Sequence, residues 1–244
     1  MNFENEVKQR IAEMGQNELL KSTAHEFIKA SLAPKYSYNF SWLGRPIIQY
    51  PQDIVAMQEI IWEVKPDLII ETGIAHGGSL IFSASMLELV ASCTGSEGEV
   101  IGIDIDIRPH NRKAIEGHPM YKRICMIQGS SIAPEIIALV AEKARNKKRI
   151  LVCLDSNHTH AHVLAELNAY APLTTVGSYC VVFDTVVQDM PSELAGDRPW
   201  GPGNNPKTAV VEYLKHHPGF EIDKSMNHKL LITVAPDGYL KRVC

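Results

Sequence analysis

Glu71, Gly73, Gly77, Gly78 and Ser79 follow one another in the stretch IIETGIAHGGSL, residues 69–80. The apolar run Leu68-Ile69-Ile70 ends in the acid, and an apolar helical pattern runs from Leu80 to about Val90. The pattern predicts a buried parallel strand, a glycine turn and a helix N-terminus. Glycines let a ligand approach the backbone closely, and a helix start offers free N–H donors at a positive dipole end. A second run, Val100-Ile101-Gly102-Ile103, ends in Asp104, where a carboxylate can accept both hydroxyls of a ribose. A glycine turn followed by a ribose acid is the layout of an adenosine-cofactor site in a doubly wound fold. The dinucleotide fingerprint G-x-G-x-x-G matches poorly, and no phosphate-binding G-x-x-x-x-G-K-[ST] occurs. A leading carboxylate favours a cofactor with a cationic amino-acid end, and S-adenosylmethionine (SAM) fits that demand. The competing reading, a tight turn with no ligand, leaves Asp104 unexplained.

A second group of acids lies further on. LVCLDSNHTHAH places Asp155 at the end of one strand-like run, and CVVFDTVVQD places Asp184 at the end of another. Open α/β sheets bind their ligands at such strand ends. Two carboxylates on adjacent strand ends need a cation or protons to compensate them. Oxygen ligands suit Mg²⁺, with waters and a substrate oxygen completing the shell. Alternatively, one Asp caps a helix and the other is solvated. His158 lies three residues past Asp155, where a neutral imidazole can take a proton from a hydroxyl whose pKa a metal has lowered. His158, His160 and His162 alternate, which does not suit one face of a helix, so a zinc cluster is disfavoured.

These groups need strands to carry them and helices to cover them. The 244 residues are 45% apolar, enough for one large α/β domain. Strands are expected at 67–72, 99–104, 122–128, 149–155, 178–184 and 219–223, with a last one from Lys229 to Ala235 inserted antiparallel. Helices are expected at about 78–92, 109–116, 133–145, 159–170 and 206–216, with another opened by Pro51 and ended before Pro66. Apolar, β-branched strand cores argue for a mostly parallel sheet covered on both faces. Ahead of them, residues 3–31 show helical periodicity. The stretch APKYSYNFSWLGRPIIQYP reads as irregular and able to fold over a site or make a subunit contact. Residues 1–50 are therefore expected to form a cap or oligomer contact, and residues 51–244 the main domain. A Pro- and Gly-rich loop covers 186–206, and Trp42, Arg45, Trp200 and Asn204 in the irregular segments are candidates to line or cover an acceptor pocket.

The net charge of −4 offers no basic footprint for nucleic acid. No apolar run reaches the ~18 residues of a membrane span. Five scattered cysteines without C-x-x-C, and a charged helical N-terminus, favour a cytoplasmic protein.

Taken together, SWLGRPIIQYPQD, KPDLIIETGIAHGGSL, IGIDID, VCLDSNHTHAHVLAEL, RPWGPGNNPKTAVVEYL and PDGYLKR resemble the cephalosporin hydroxylase / rhamnosyl O-methyltransferase family. The match runs from about residue 40 to 243. That family is similar to catechol-type, metal-dependent SAM methyltransferases, including macrolide sugar O-methyltransferases. The resemblance implies a Rossmann-like class I methyltransferase fold, a seven-stranded, mostly parallel sheet with an antiparallel last strand and helices on both faces. It also implies Mg²⁺, a homo-oligomer, and a sugar hydroxyl on a glycan, glycolipid or glycosylated metabolite as acceptor. By this resemblance Glu71, Gly73, Gly77, Gly78 and Ser79 hold the methionine end of SAM, and Asp104 its ribose. Gly129, Ser130 and Ser131 border the adenine, Asp155 and Asp184 hold the metal, and His158 is the general base. Relatives often carry Glu-Asp where this chain has Phe183-Asp184, and Thr185 is the candidate replacement ligand. The departure keeps a rival open, a non-catalytic SAM-binding or methyltransferase-like partner subunit. A hydroxylase acting on a β-lactam is disfavoured, because no 2-His-1-carboxylate spacing is evident.

Overall fold

Short β-branched runs bounded by turns pair into one sheet in this computed structural model, which describes residues 2–194 and 196–244. The main sheet is built from β3 (Leu68–Thr72), β4 (Glu99–Asp104), β5 (Ile124–Gln128), β6 (Ile150–Leu154), β7 (Tyr179–Val182), β8 (Phe220–Ile222) and β9 (Tyr239–Arg242). Its order is β5-β4-β3-β6-β7-β9-β8. The first five strands pair in parallel, while β9 is antiparallel to both of its neighbours. This is the seven-stranded class I arrangement, mostly parallel with an antiparallel C-terminal strand. Chain order reverses between β3 and β6, so a crevice opens there at the carboxyl ends of the strands.

Side chains alternate across the strands and separate two cores. Ile69, Val100, Leu151 and Val181 face the layer containing α3 (Pro51–Val64) and α4 (Gly78–Thr94). Leu68, Ile70, Ile101 and Val152 face the layer of α6 (Pro134–Ala144), α7 (His160–Tyr170) and α8 (Pro206–His216). Between β4 and β5, α5 (Pro109–Glu116) sends Ile115 into the first core. None of the described helices is long and apolar enough to cross a membrane.

Two segments differ from the sequence expectation. Residues 229–235 do not form the last strand: they complete α9 (Lys224–Leu230) and then wrap past α3. There the Val234 N–H and the Thr233 hydroxyl are taken by the buried carboxylate of Asp53. With those groups committed, pairing is postponed to Tyr239–Arg242, after a turn closed by Gly238 N donating to Ala235 O. The stretch read as irregular before Pro51 contains a hairpin, β1 (Phe40–Trp42) with β2 (Arg45–Ile47). Leu43 and Gly44, both at positive φ, make its two-residue turn. The N-terminal periodic stretch is two helices, α1 (Phe3–Gln16) and α2 (Glu18–Leu32). Asn17 separates them and caps α2 through its side chain.

Candidate active site

The parallel register sets Glu71 beside Cys153 and Thr72 beside Leu154, so Asp155 leaves β6 level with the first glycine of the turn after β3. Glu71 is buried and accepts a hydrogen bond from Ser79 Oγ in the first turn of α4. Burial raises its carboxyl to about 7, against the opposing effect of the Ser79 hydroxyl. Gly73 and Gly77 have φ of 91° and 82°, which glycine adopts at no steric cost.

The glycines have a second reason besides ligand approach. A Cβ on Gly73 would strike the Asp155 carbonyl. One on Gly78 would strike the Pro46 carbonyl in β2, and one on Gly77 the Ile115 side chain. The protein's own chain fills the space that the glycines leave. Replacing Gly77 by valine would therefore disturb packing even without a cofactor.

Asp104 stands at the end of β4. Its Oδ2 accepts from Ile74 N (2.8 Å) and Ala75 N (3.3 Å), and its Oδ1 from Asp106 N (3.0 Å). Asp104 thus fastens the glycine turn that a cofactor would meet. Gly129 N donates to the Asp104 carbonyl, which places the loop after β5 beside it. Ser130 closes the next turn through its carbonyl. Ser131 is buried, its hydroxyl 3.1 Å from His162 Nε2, so its side chain is directed into the protein rather than toward an adenine.

One residue beyond Leu154 and Phe183, which are joined by Phe183 N donating to the Leu154 carbonyl, lies the second cluster. Ligand atoms of Asp155, His158 and Asp184 all lie within 4.8 Å of one another, with His158 Nε2 3.1 Å from Asp184 Oδ2. Burial first, and then the charges of Asp184, Glu71, Glu166 and Asp53, push Asp155 well above the usual carboxylate range. The perturbing charges on Asp155 are all negative, and none of the ion pairs among the described residues brings a lysine or arginine to Asp155, Asp184 or Glu71. Two carboxylates and an imidazole that converge without a compensating cation fit a divalent ion. Thr185 is buried and its hydroxyl donates to the Pro236 carbonyl at 2.7 Å, so that proton is committed to the tail loop. Phe183 is buried and lines a small cavity with Glu71 and Cys153. The histidines do not converge. His160 meets Thr208 and Glu212, and His162 meets Ser131, Ser156 and Glu166.

Above Asp155, His158 and Asp184 opens a cleft of about 600 Å³, walled by α2 and the loop after β7, with Leu32, Tyr50, Met190 and Trp200 in its lining. Trp200 lies edge-on to His158, the ring centroids 5.0 Å apart. Of the four candidates for this pocket, only Trp200 lines it. Trp42 donates to Ser85 Oγ, and Arg45 donates to the His76 carbonyl and Asn111 Oδ1. Asn204 accepts from His160 N. These three clamp the hairpin and the loop in place. Sequence reading missed Gln49 and Asp53. Asp53 is buried, raised to about 6 by burial, and held by Thr233, Val234 N and Tyr239. Its partners lie some 180 residues away in the chain, so no local pattern could have flagged it.

The family model described as Rhamnosyl O-methyltransferase/CmcI matches residues 34–243. A rhamnosyl O-methyltransferase of Mycobacterium leprae is 32% identical over 210 residues, 83% of this chain and 82% of the relative. One of Mycobacterium bovis is 31% identical over 196 residues, 78% and 73% of the two chains. Among solved structures, CmcI with Mg and SAM is similar at a TM-score of 0.55 and 19% identity, covering 85% of this chain and 78% of that one. An apo TDP-rhamnose 3'-O-methyltransferase of calicheamicin biosynthesis gives 0.50 at 16% identity, covering 88% of each. At such identity the two structures speak to the fold alone.

Proposed function

From the premise that this chain belongs to the rhamnosyl O-methyltransferase/CmcI family, we propose that it is a SAM-dependent O-methyltransferase. Its acceptor is a sugar hydroxyl on a glycan, glycolipid or glycosylated metabolite. The observation that carries the reading is the placement of the uncompensated Asp155–His158–Asp184 cluster between the glycine turn and the large cleft. SAM would supply a methyl group on a cationic sulfur, and Asp155 and Asp184 would hold Mg²⁺, which would lower the pKa of the acceptor hydroxyl.

The chain's own residues do the rest. Glu71, Ser79 and the turn from Gly73 to Gly78 hold the methionine end, the N–H groups at the start of α4 facing its carboxylate. Asp104 takes the ribose, and Gly129, Ser130 and Ser131 border the adenine through their backbone. The cleft would hold the acceptor so that its hydroxyl oxygen meets the transferable methyl group in line, the positioning that direct transfer requires. His158 accepts the hydroxyl proton. Trp200 fixes the imidazole from its edge, and residues 1–50 act as the cap that excludes water.

Phe183, in place of an acid, is the observation that favours the rival, a non-catalytic SAM-binding subunit. Against it stands the convergence of Asp155 and Asp184 beside His158 without that acid. The deciding experiment is transfer of labelled methyl from SAM to a panel of glycosides, with chelator and with Mg²⁺ restored. We expect transfer that chelation abolishes and Mg²⁺ recovers. SAM binding with no transfer to any hydroxyl acceptor would support the subunit reading. Full turnover in excess chelator would remove the metal.

A further inference from the structure

Gln49 lies in the strap between β2 and α3 and is 7% exposed. Its Nε2 lies 3.4 Å from Asp155 Oδ2. The opposite end, Oε1, is buried without a hydrogen-bond partner. A buried, unsatisfied acceptor carries a desolvation penalty that a bound donor would relieve.

Where that donor sits follows from the cavities. Gln49 and Asp155 are the two residues common to the linings of three neighbouring spaces: the large cleft and two small cavities of about 30 and 40 Å³. Oε1 is buried, and two small cavities beside Gln49 bring it next to the strand-end acid Glu71 and the glycine turn. The smaller cavity is lined by Glu71, Asp53 and Asp155, so its charged walls are acceptors. The other cavity is lined by the glycine turn, Gly73 to Ser79. The acidic cavity suits a group with several N–H donors and a positive charge, while the N–H groups at the start of α4 are left for a carboxylate.

We propose that Gln49 binds the α-ammonium of the cofactor through Oε1 while its amide nitrogen holds Asp155 from the same side. The inference rests on the methyltransferase reading and adds a recognition residue to it. Gln49 becomes the link between the two sites: one end of the amide reads the cofactor, and the other orients the carboxylate that faces the metal. The strap carries both functions across the turn because Gly78 lets the β2 backbone lie directly upon it.

The test is a thermodynamic cycle by calorimetry. S-adenosylhomocysteine and its analogue lacking the amino group are titrated into the wild-type protein, Gln49→Leu and Gln49→Met. In the wild type, loss of the ammonium should weaken binding strongly. In both variants the ratio of the two affinities should shrink by about tenfold or more, the range of one hydrogen bond to a charged group. Using two apolar replacements keeps the test valid if one fails to fold. A ratio equal in the wild type and the variants would overturn the proposal and leave a buried water as the partner of Oε1. If the wild type binds S-adenosylhomocysteine and only the ratio fails, the methyltransferase reading survives. If it binds neither ligand, both readings fall.

Discussion

Replacing Glu71 by glutamine should stabilise the empty protein while weakening its hold on the cofactor. The carboxyl is fully enclosed, and its pKa rises from 4.5 to about 7 on folding because burial penalises the charge. The native state therefore binds more protons than the unfolded chain between these values. Stability from this group falls as pH rises from about 4.5 through 7, and the loss is complete above. A shift of about 2.5 units at 1.36 kcal/mol each amounts to about 3 kcal/mol at pH 8, and to about 1 kcal/mol at pH 5. Glutamine keeps an oxygen for the Ser79 hydroxyl and carries no charge. Glu71→Gln should accordingly gain about 3 kcal/mol over the wild type at pH 8, on the order of 6–12 °C in Tm for a chain of this size, and little at pH 4. The assay is denaturant unfolding of both proteins at pH 4, 5 and 8 in chelator and without cofactor. S-adenosylhomocysteine affinity is measured alongside at pH 8, where it should fall at least tenfold. Equal or lower stability of the variant at pH 8 would refute the reasoning, because it would mean that Glu71 is not an uncompensated buried charge.

Two further outcomes are expected. Asp104→Ala should cost on the order of 2–4 kcal/mol of cofactor affinity, and because Asp104 also fastens Ile74 and Ala75, it should lower Tm as well. Asp104→Asn should keep more of the fold and still bind weakly, and wild-type affinity by calorimetry in either variant would sink the ribose assignment. His158→Ala and His158→Gln should lower kcat about 10²–10⁴-fold with cofactor affinity nearly unchanged, while His160→Ala and His162→Ala should be far milder in turnover. Measured metal content decides between roles, since loss of bound metal in the His158 variants would make the imidazole a ligand rather than a base.

Most of the scaffold was legible because strand and helix periodicities are local. Runs such as LIIET and ILVCL announced buried parallel strands, and α5 and α8 were expected at the residues where they form. The last strand was misplaced because Leu230 to Ala235 is as apolar as a strand. What draws that segment away from the sheet is Asp53, a long-range partner that no window of sequence reveals. The site divides in the same way. The acids that close strands were identifiable from the sequence, because a carboxylate ending an apolar run is conspicuous and strand ends are where ligands bind. Whether those acids meet was decided by the parallel register, which sets Asp155 beside the glycine turn and brings Asp184 and His158 into one cluster. The fates of Arg45, Trp42 and Asn204, which clamp rather than contact, and of Gln49, whose amide reaches Asp155, were decided there too. A side chain's partner is a property of three-dimensional proximity, and the chain separations involved, 106 residues between Gln49 and Asp155, carry no trace in the local pattern of residue types.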